Sequence, residues 1–269
     1  MTLQNKIDFA VILRVKNANP NGDPLNGNRP RTDYSGIGEI TDVAIKRKIR
    51  DRLLEQGYPI FVQSDDRKND DATSLQDRAD KVLGKKLTKE AACETWFDVR
   101  AFGQVFAFKS KDKKAGDGVS IPVRGPISIQ SAFSIEPVSV TSTQITKSVS
   151  GEGDGTKRGS DTMGMKHRVD TGTYVFKGSM NPQLAERTGF SDTDAQAIKQ
   201  ILPKLFENDA SSARPEGSME VVNVFWWQHN SKGGQYSSAK VHSSLSVNND
   251  GSFELKDLDG LKAEVLEGF

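Results

Sequence analysis

The sequence predicts an α+β sandwich, and three observations carry this prediction. Apolar and polar residues alternate over residues 6–15, as in a strand with one buried face. Two helical patterns with capping residues follow, over residues 42–56 and 192–206. Further alternating runs lie between and after these helices, which gives the order strand, helix, paired strands, helix, strands. This order is typical of the ferredoxin and RNA-recognition folds, here with two large insertions.

The composition excludes several classes of protein. The single cysteine, Cys93, rules out an internal disulfide and a zinc site with several cysteines, and it favours a reducing compartment, the cytoplasm. The N-terminus lacks a charged segment followed by an apolar one, and no window approaches about 18 consecutive apolar residues. We therefore expect a soluble chain that is neither secreted nor bound to a membrane.

Charge is distributed unevenly along a chain that is nearly neutral overall, with 37 Lys and Arg against 36 Asp and Glu. Residues 14–52 hold nine basic and five acidic residues, and residues 109–168 hold ten and six, so each block carries +4. Residues 186–220 come to −3 and residues 250–269 to −4. Such asymmetry favours one face for a polyanion and another for a basic neighbour.

The first two elements are a strand and a helix. After the strand, residues 17–31 form a loop dense in Asn, Gly and Pro. Thr41 can cap the helix at 42–56, and Gly57 ends it. The apolar spacing gives this helix a buried stripe of Ile45, Ile49 and Leu53.

The next segment, residues 58–116, has the character of an insertion. A charged run leads to a short helical pattern at 73–83 and then to a strand-like run at 96–108. Alternating runs at 119–123 and 127–133 meet near Gly125 and predict a strand pair or one bulged strand.

The second half of the chain begins with a polar arm. In residues 141–172, 16 of 32 residues are Gly, Ser or Thr, which is typical of a flexible segment. A strand at 173–177 precedes the second helix, which Ser191 can cap. Two more strands are predicted at 219–228 and 236–247.

Catalytic signatures are scarce. The place of His229, at the end of a strand beside a turn, favours a structural role over that of a histidine-based ribonuclease. Asp23 and Asp33, in the loop after the first strand, could hold a metal ion that activates water for phosphodiester cleavage. Both aspartates also lie in ordinary turn sequences, and we favour a structural role in these turns. The sequence predicts no cofactor and no resident metal.

The first helix is the strongest candidate for binding a polyanion. With Ile49 at the buried centre, Lys46 and Arg50 lie on one flank, and Lys48 and Arg52 lie on the other. Side chains there can rest their methylenes on the sheet and present their charges to a phosphate backbone. A solvated basic helix face is the alternative.

Neighbouring segments supply further donors. Arg29 and Arg31 lie in the loop that leads into this helix. Gln130, Ser131 and Ser134 offer neutral hydrogen-bond donors to phosphate or sugar.

The polar arm carries two methionines, Met163 and Met165, with no obvious core to enter. A flexible thioether can wedge between stacked bases while Lys166 and Arg168 hold the adjacent phosphates. The alternative is that the methionines anchor the arm on its own domain or on a neighbouring subunit.

Several segments, taken in order, point to a known family. They are NPNGDP (19–24), the basic helix after Thr41, WFDVRAFGQVFA (96–107), VRGPISIQSAFSIEPV (123–138), MGMKHRVDTGTYVFKGSMNP (163–182) and VNVFWWQHN (222–230). Together they resemble the CRISPR-associated backbone subunit of type I Cascade surveillance complexes, in the RAMP superfamily, and most closely the type I-C version. The resemblance covers essentially the whole chain.

The resemblance implies a hand-shaped protein without catalytic activity. It implies an RNA-recognition-like palm over residues 1–57, 117–140 and 173–269, a fingers insertion over 58–116 and a thumb hairpin within 141–172. Members of the family stack as a helical filament along the CRISPR RNA and present guide segments for pairing with target DNA. The implied partners are CRISPR RNA, target DNA through the guide, other copies of the chain, and the Cascade subunits that process the RNA or form the large subunit.

Carried over to this sequence, the family's helix contacts fall on Lys46 and Arg50, and its loop contact falls best on Arg31. Related type III subunits cut target RNA with an aspartate in the loop after the first strand, where Asp23 and Asp33 lie here. A metal-dependent RNA nuclease of the same superfamily and a general single-stranded nucleic-acid binder therefore stay open as alternatives.

Overall fold

The computed structural model describes residues 1–108, 119–148 and 163–269. The strands are β1 (Ile7–Ala18), β2 (Gly22–Asp23), β3 (Arg29–Pro30), β4 (Ile37–Ile40), β5 (Gly103–Phe108), β6 (Val119–Arg124), β7 (Ile127–Ile129), β8 (Ala132–Pro137), β9 (Val140–Thr146), β10 (Met163–Met180), β11 (Met219–Gln228), β12 (Leu245–Val247), β13 (Phe253–Leu255) and β14 (Ala263–Glu267). The α-helices are α1 (Asp42–Glu55), α2 (Leu75–Val82), α3 (Lys89–Thr95), α4 (Phe97–Phe102), α5 (Pro182–Thr188), α6 (Asp192–Ile201) and α7 (Ser238–Ser243).

Most strands belong to one large antiparallel sheet. Its order is β14-β11-β1-β10-β8-β4, and β7 and β9 pair with other parts of β10. The pairs β2-β3, β5-β6 and β12-β13 form separate two-stranded sheets. The prediction of a mixed α/β fold around a sheet is confirmed. Among the described residues, no helix is long and apolar enough to cross a membrane.

The central strand β1 is buried on both faces, whereas the sequence pattern predicted one buried face. Phe9 and Val11 pack into the main core with residues of α1 and α6. Ala10 and Ile12 point the other way into a second core, which α7 and the β12-β13 hairpin cover. The even-numbered residues were not expected to be buried because the cover comes from a distant part of the chain.

Helix α1 follows its prediction closely. The Thr41 hydroxyl accepts a hydrogen bond from the Ala44 N–H group, and the helix ends just before Gly57, whose φ is 84°. The stripe of Ile45, Ile49 and Leu53 is completely buried in the main core. This position fixes which side chains lie on the two flanks of the helix.

The insertion after α1 is partly as predicted. Ser74 caps α2, which lies within the helical pattern at 73–83. The strand predicted over 96–108 is wrong in its first half, where α4 forms instead, because Phe97 and Ala101 bury one face at helical spacing. Phe61, Trp96 and Phe106 form the centre of a separate apolar cluster in this insertion.

The predicted strand pair around Gly125 is also wrong. β6 pairs with β5 in its own sheet, whereas β7 and β8 pair with β10 in the large sheet. Gly125 packs against the backbone at Ala101 and Gly103, and a Cβ atom there would lie 2.4 Å from the Ala101 carbonyl oxygen. The chain changes sheets at this close contact.

The polar arm forms a hairpin in its described part. β9 pairs with the first half of β10 from Val140–Val169 to Thr146–Met163, so the strand predicted at 173–177 begins ten residues earlier. The centre of the arm, residues 149–162, lies outside the described residues.

The C-terminal part confirms the second helix and corrects one strand. A capping box between Ser191 and Asp194 opens α6, and β11 coincides with the predicted strand at 219–228. The strand predicted at 236–247 is wrong until its last residues, since Ser237 caps α7 and only β12 is extended. The sequence patterns did not predict α5 or β14.

Candidate nucleic-acid interface

The loop after β1 joins two of the segments predicted to bind a polyanion. At its start, the Asn21 Oδ1 atom accepts hydrogen bonds from the Thr41 N–H (2.9 Å) and hydroxyl (3.0 Å) groups at the beginning of α1. Near its end, Arg29 Nη1 donates to the Ser142 hydroxyl on β9 (2.9 Å). The loop therefore connects the start of the basic helix to the base of the hairpin.

The two loop aspartates are used in turns. Asp23 accepts a hydrogen bond from the Leu25 N–H group and lies 3.5 Å from Arg31 Nη2. Asp33 accepts from the N–H groups of Ser35 (2.8 Å) and of the residue at the start of β4 (2.9 Å). The described part of the chain contains no group of three or more His, Cys, Asp or Glu residues placed to hold a metal ion. These contacts match the turn interpretation of both residues.

The hairpin separates its methionines from its basic residues. The β9-β10 register runs without a shift, so Met163, Met165 and His167 lie on one face, and Lys166 and Arg168 lie on the opposite face. Met163 and Met165 are 63% and 55% exposed. The methionines and the two basic residues would therefore meet an RNA from opposite faces of this ribbon, and the predicted wedge with its flanking phosphate contacts stays a prediction.

The methionine face has its own polar groups. The His167 Nδ1 atom lies 2.9 Å from the Ser142 hydroxyl, which also accepts the hydrogen bond from Arg29. The Gln144 amide lies opposite Met165 and contacts the Met163 sulfur at 3.3 Å. The loop arginine thus lies beside the exposed methionines, although it is far from them in sequence.

On α1, the flank with Lys46 and Arg50 remains accessible in part. Lys46 Nζ pairs with Asp42 at 2.9 Å, one turn earlier, and its side chain is 23% exposed. Arg50 Nε donates to Asp98 at 2.9 Å, and its guanidinium carbon lies 5.1 Å from the centre of the Phe102 ring. Both side chains therefore have fixed partners within the chain.

The opposite flank of α1 does not present its charges, and this prediction is wrong. Lys48 is 6% exposed and forms an ion pair with Asp209, which Arg214 also contacts at 3.0 Å. Burial lowers the pKa of Lys48 to about 8, despite the opposing effect of Asp209. Arg52 is buried and pairs with Glu55 at 2.8 Å. The segment after α6 therefore covers Lys48, whereas Arg52 is held by its own helix.

Ser134 is also in a different environment from the one predicted. It is buried, and its hydroxyl accepts from Gly38 N–H (2.8 Å) and donates to the Glu136 carbonyl (2.6 Å), so it is not available to a ligand. Gln130 is exposed and lines an open groove on the other face of the sheet, with Phe133 and Lys177.

His229 has the structural role that its position favoured. Its Nε2 atom contacts the buried Asp8 carboxylate at 2.9 Å, and its Nδ1 atom accepts a hydrogen bond from the Gln235 N–H group at 2.9 Å. Because a backbone N–H group can only donate, Nδ1 carries no proton and Nε2 donates to Asp8. The imidazole is 1% exposed and joins β1 to the turn after β11.

Sequence reasoning missed Asn21, Asp98 and His167. Asn21 and His167 act through contacts with residues far along the chain, which no local pattern reveals. Asp98 lies in the segment predicted as a strand, where the helical spacing of Phe97 and Ala101 was the available signal.

Comparison with known proteins places the chain in a family. The family model described as "CRISPR-associated protein Cas7" matches residues 5–264, so the chain belongs to the CRISPR-associated protein Cas7 family. A curated relative of that name from Haloferax volcanii is 26% identical, over 99% of this chain and 82% of its own length. The family suggested by the sequence resemblance is confirmed, whereas the type I-C assignment stays a prediction.

Solved structures are also similar. A chain of a "CRISPR RNA-guided surveillance complex, pre-nicking" is 16% identical and has a TM-score of 0.48, covering 82% of this chain and 78% of its own. A chain of a "CRISPR RNA-guided surveillance complex" is 17% identical and also has a TM-score of 0.48, covering 92% of this chain and 77% of its own.

Proposed function

We propose that this chain is a non-catalytic backbone subunit that binds CRISPR RNA in a surveillance complex and stacks along it with other copies of itself. One observation carries the proposal beyond family membership. The loop after β1 joins α1, through Asn21, to the β9-β10 hairpin, through Arg29. Two segments distant in sequence thus adjoin the same loop, which supports the assignment of their cations and exposed thioethers to one RNA-binding surface.

The proposed surface divides into parts with different tasks. Arg29, Lys46 and Arg50 bind phosphates, which provides affinity without base selection. Met163 and Met165, on the face of the hairpin beside Arg29, contact bases and interrupt their stacking. The guide RNA itself selects the target DNA by base pairing. Lys48 and Ser134 are not part of this surface.

The domain organisation is part of the same proposal. The order β11-β1-β10-β8, with α1 and α6 packed in one core, supports a ferredoxin-like palm. The apolar cluster around Phe61 supports a separate fingers unit, and the β9-β10 hairpin supports the thumb. This proposal also includes the type I-C subtype. It further includes two neighbours in the complex, the RNA-processing subunit and the large subunit.

The first test changes the accessible flank of α1. We expect Lys46→Gln with Arg50→Gln to reduce the slope of log affinity against log salt by about 1.4, since each lost phosphate contact on single-stranded RNA removes about 0.7. Binding of a CRISPR RNA fragment to the purified chain would be followed by fluorescence anisotropy over a series of salt concentrations. Glutamine avoids placing a second carboxylate against Asp98.

The matched control is Lys256→Gln with Lys262→Gln, which changes net charge equally at two exposed lysines in the C-terminal segment. An equal loss of slope in both variants would contradict the proposed surface.

Co-expression with a CRISPR array and its processing subunit, followed by sequencing of the protected RNA, identifies the ligand. Protected repeat-derived RNA supports the backbone role, unrelated RNA indicates a general single-strand binder, and divalent-metal-dependent cleavage lost in Asp23→Ala or Asp33→Ala indicates a nuclease.

A further inference from the structure

In the part of the chain that the structure describes, the guanidinium group of Arg50 is hydrogen-bonded through Nε but not through its two terminal nitrogens. Its Nε atom donates to Asp98 Oδ2 at 2.9 Å, and its guanidinium carbon lies 5.1 Å from the centre of the Phe102 ring. Within the described residues, Nη1 and Nη2 donate to no protein acceptor and are not among the buried unpaired atoms. The guanidinium therefore has its plane and direction fixed, with both terminal amino groups left for another acceptor.

Asp98 has the rigidity that such an anchor requires. Its side chain is 1% exposed, and it accepts hydrogen bonds from the N–H groups of Phe61 (2.7 Å) and Val62 (3.0 Å) as well as from Arg50. A carboxylate bound to two backbone groups in a buried position cannot rotate with the arginine. The orientation of Arg50 thus follows the position of α4 and of the chain after α1.

We propose that Asp98 is a positioning residue that orients Arg50, so that Nη1 and Nη2 together bind one phosphate of the RNA backbone. The inference rests on the proposed function and adds a residue to it. A planar guanidinium with two parallel N–H donors matches two phosphate oxygens, and fixing it beforehand reduces the entropy lost on binding. Asp98 itself does not touch the RNA.

The neighbouring Arg100 also combines an aromatic ring with a carboxylate, but its guanidinium group donates two hydrogen bonds to that carboxylate. It lies 4.8 Å from the Phe97 ring, but its Nε and Nη2 atoms both donate to Asp194, at 3.1 and 2.8 Å. Two bonds to one carboxylate use the side of the guanidinium that would face a phosphate. Arg100 is therefore a structural ion pair and provides a matched control for Arg50.

The direction in which Asp98→Asn changes RNA affinity separates a positioning role from simple electrostatics. Replacing Asp98 by Asn removes a negative charge close to the RNA, which by Coulomb interaction alone would strengthen binding. If Asp98 positions Arg50, the same change weakens binding, because Asn cannot accept from Arg50 with full charge and its amide group opposes the neighbouring N–H donors.

The experiment is a double-mutant cycle on the full chain, with a fluorescent single-stranded fragment of CRISPR RNA as the probe. We expect Asp98→Asn to weaken RNA binding by about tenfold, the size of one charge-assisted hydrogen bond, but by less than about twofold when Arg50 is already Ala. Arg50→Lys should weaken binding because a lysine retains the charge without the planar pair of donors. Arg100→Lys should leave RNA affinity unchanged.

Phe102→Leu is a second probe that leaves the Asp98 hydrogen bonds in place. It removes the ring beneath the guanidinium, and we expect a loss of about threefold with Arg50 present and none with Arg50→Ala. This variant carries the test if circular dichroism shows that Asp98→Asn is unfolded.

The outcomes distinguish this inference from the proposed function. If Arg50→Ala itself leaves RNA affinity unchanged, the proposed contact of α1 with RNA is wrong. If Arg50→Ala weakens binding while folded Asp98→Asn and Phe102→Leu do not, the positioning role alone is overturned. Equal losses with and without Arg50 would likewise overturn it, because they would show an effect on the fold as a whole.

Discussion

Lys46, Lys48 and Arg50 lie close together on one helix, but their charges meet different surroundings. Lys46 pairs with a carboxylate on its own helix, and Arg50 with a buried one on α4. Lys48 pairs with Asp209. Burial alone would raise the pKa of Asp209, but the nearby charges of Lys48 and Arg214 lower it. A basic pattern on a helix therefore does not establish which of its charges reach a ligand.

Replacing Lys48 by methionine should leave RNA binding unchanged. The ammonium group is buried, so its loss removes no contact with a phosphate, and Arg214 still compensates the charge of Asp209. We expect the free energy of unfolding to fall, because removing one partner leaves the other charge of a buried ion pair less compensated, but by less than the roughly 3–5 kcal/mol of an unpaired charge, since Arg214 remains. Urea unfolding and RNA anisotropy of Lys48→Met measure both quantities.

The same variant has a defined pH signature. In the folded chain the pKa of Lys48 is about 8, against 10.5 for the exposed group, so between these values the unfolded chain binds more protons. The stability of the parent should therefore rise with pH across this window relative to Lys48→Met. Parallel pH profiles for the two proteins would show that Lys48 is not buried as described, as would a large loss of RNA affinity.

At the scale of elements, the β9-β10 hairpin is a two-sided ribbon whose faces can be tested separately. We expect Lys166→Gln with Arg168→Gln to lower the salt slope of RNA binding by about 1.4. We expect Met163→Ala with Met165→Ala to keep that slope but weaken binding by about tenfold, because base contacts do not release counterions. Anisotropy titrations at several salt concentrations measure both effects.

Lys256→Gln with Lys262→Gln again serves as the control for net charge. A fall in salt slope for the methionine variant would contradict the assignment of separate tasks to the two faces. An unchanged affinity for both hairpin variants would mean that the isolated subunit binds RNA through the loop and α1 alone.

The elements also show what the sequence could and could not predict. α1 was predictable because its cap, apolar stripe and glycine stop are all local. The residues of α7 alternate like a strand, and the helix forms because Ser237 caps it and Val241 enters the second core against β1. In the same way, Lys48 appeared exposed because its partner Asp209 is 161 residues away. Local signals such as caps and apolar stripes could be predicted from the sequence, whereas burial by distant segments could not.

At the scale of the whole molecule, the nearly zero net charge conceals two opposite regions. Residues 14–52, which include the loop and α1, hold nine basic and five acidic residues, while residues 250–269 hold six acidic and two basic residues. Asp257 and Asp259 in this segment are exposed, and their carboxylates have no hydrogen-bond or ion-pair partner in the described part of the chain. If copies stack along one RNA, an acidic segment of one copy can meet a basic segment of the next.

Reversing these two charges should therefore weaken assembly without weakening the binding of one subunit. With Asp257→Lys and Asp259→Lys, we expect each reversal to cost about 1 kcal/mol per contact between copies, so the cooperative gain on an RNA long enough for several subunits falls by about tenfold or more. Sedimentation velocity on short and long RNA separates the two effects. Glu90→Lys with Glu94→Lys, at exposed positions of α3, makes the same change in net charge elsewhere. If both variants assemble equally well, the acidic segment does not lie between copies, and its charge then serves a different neighbour in the complex.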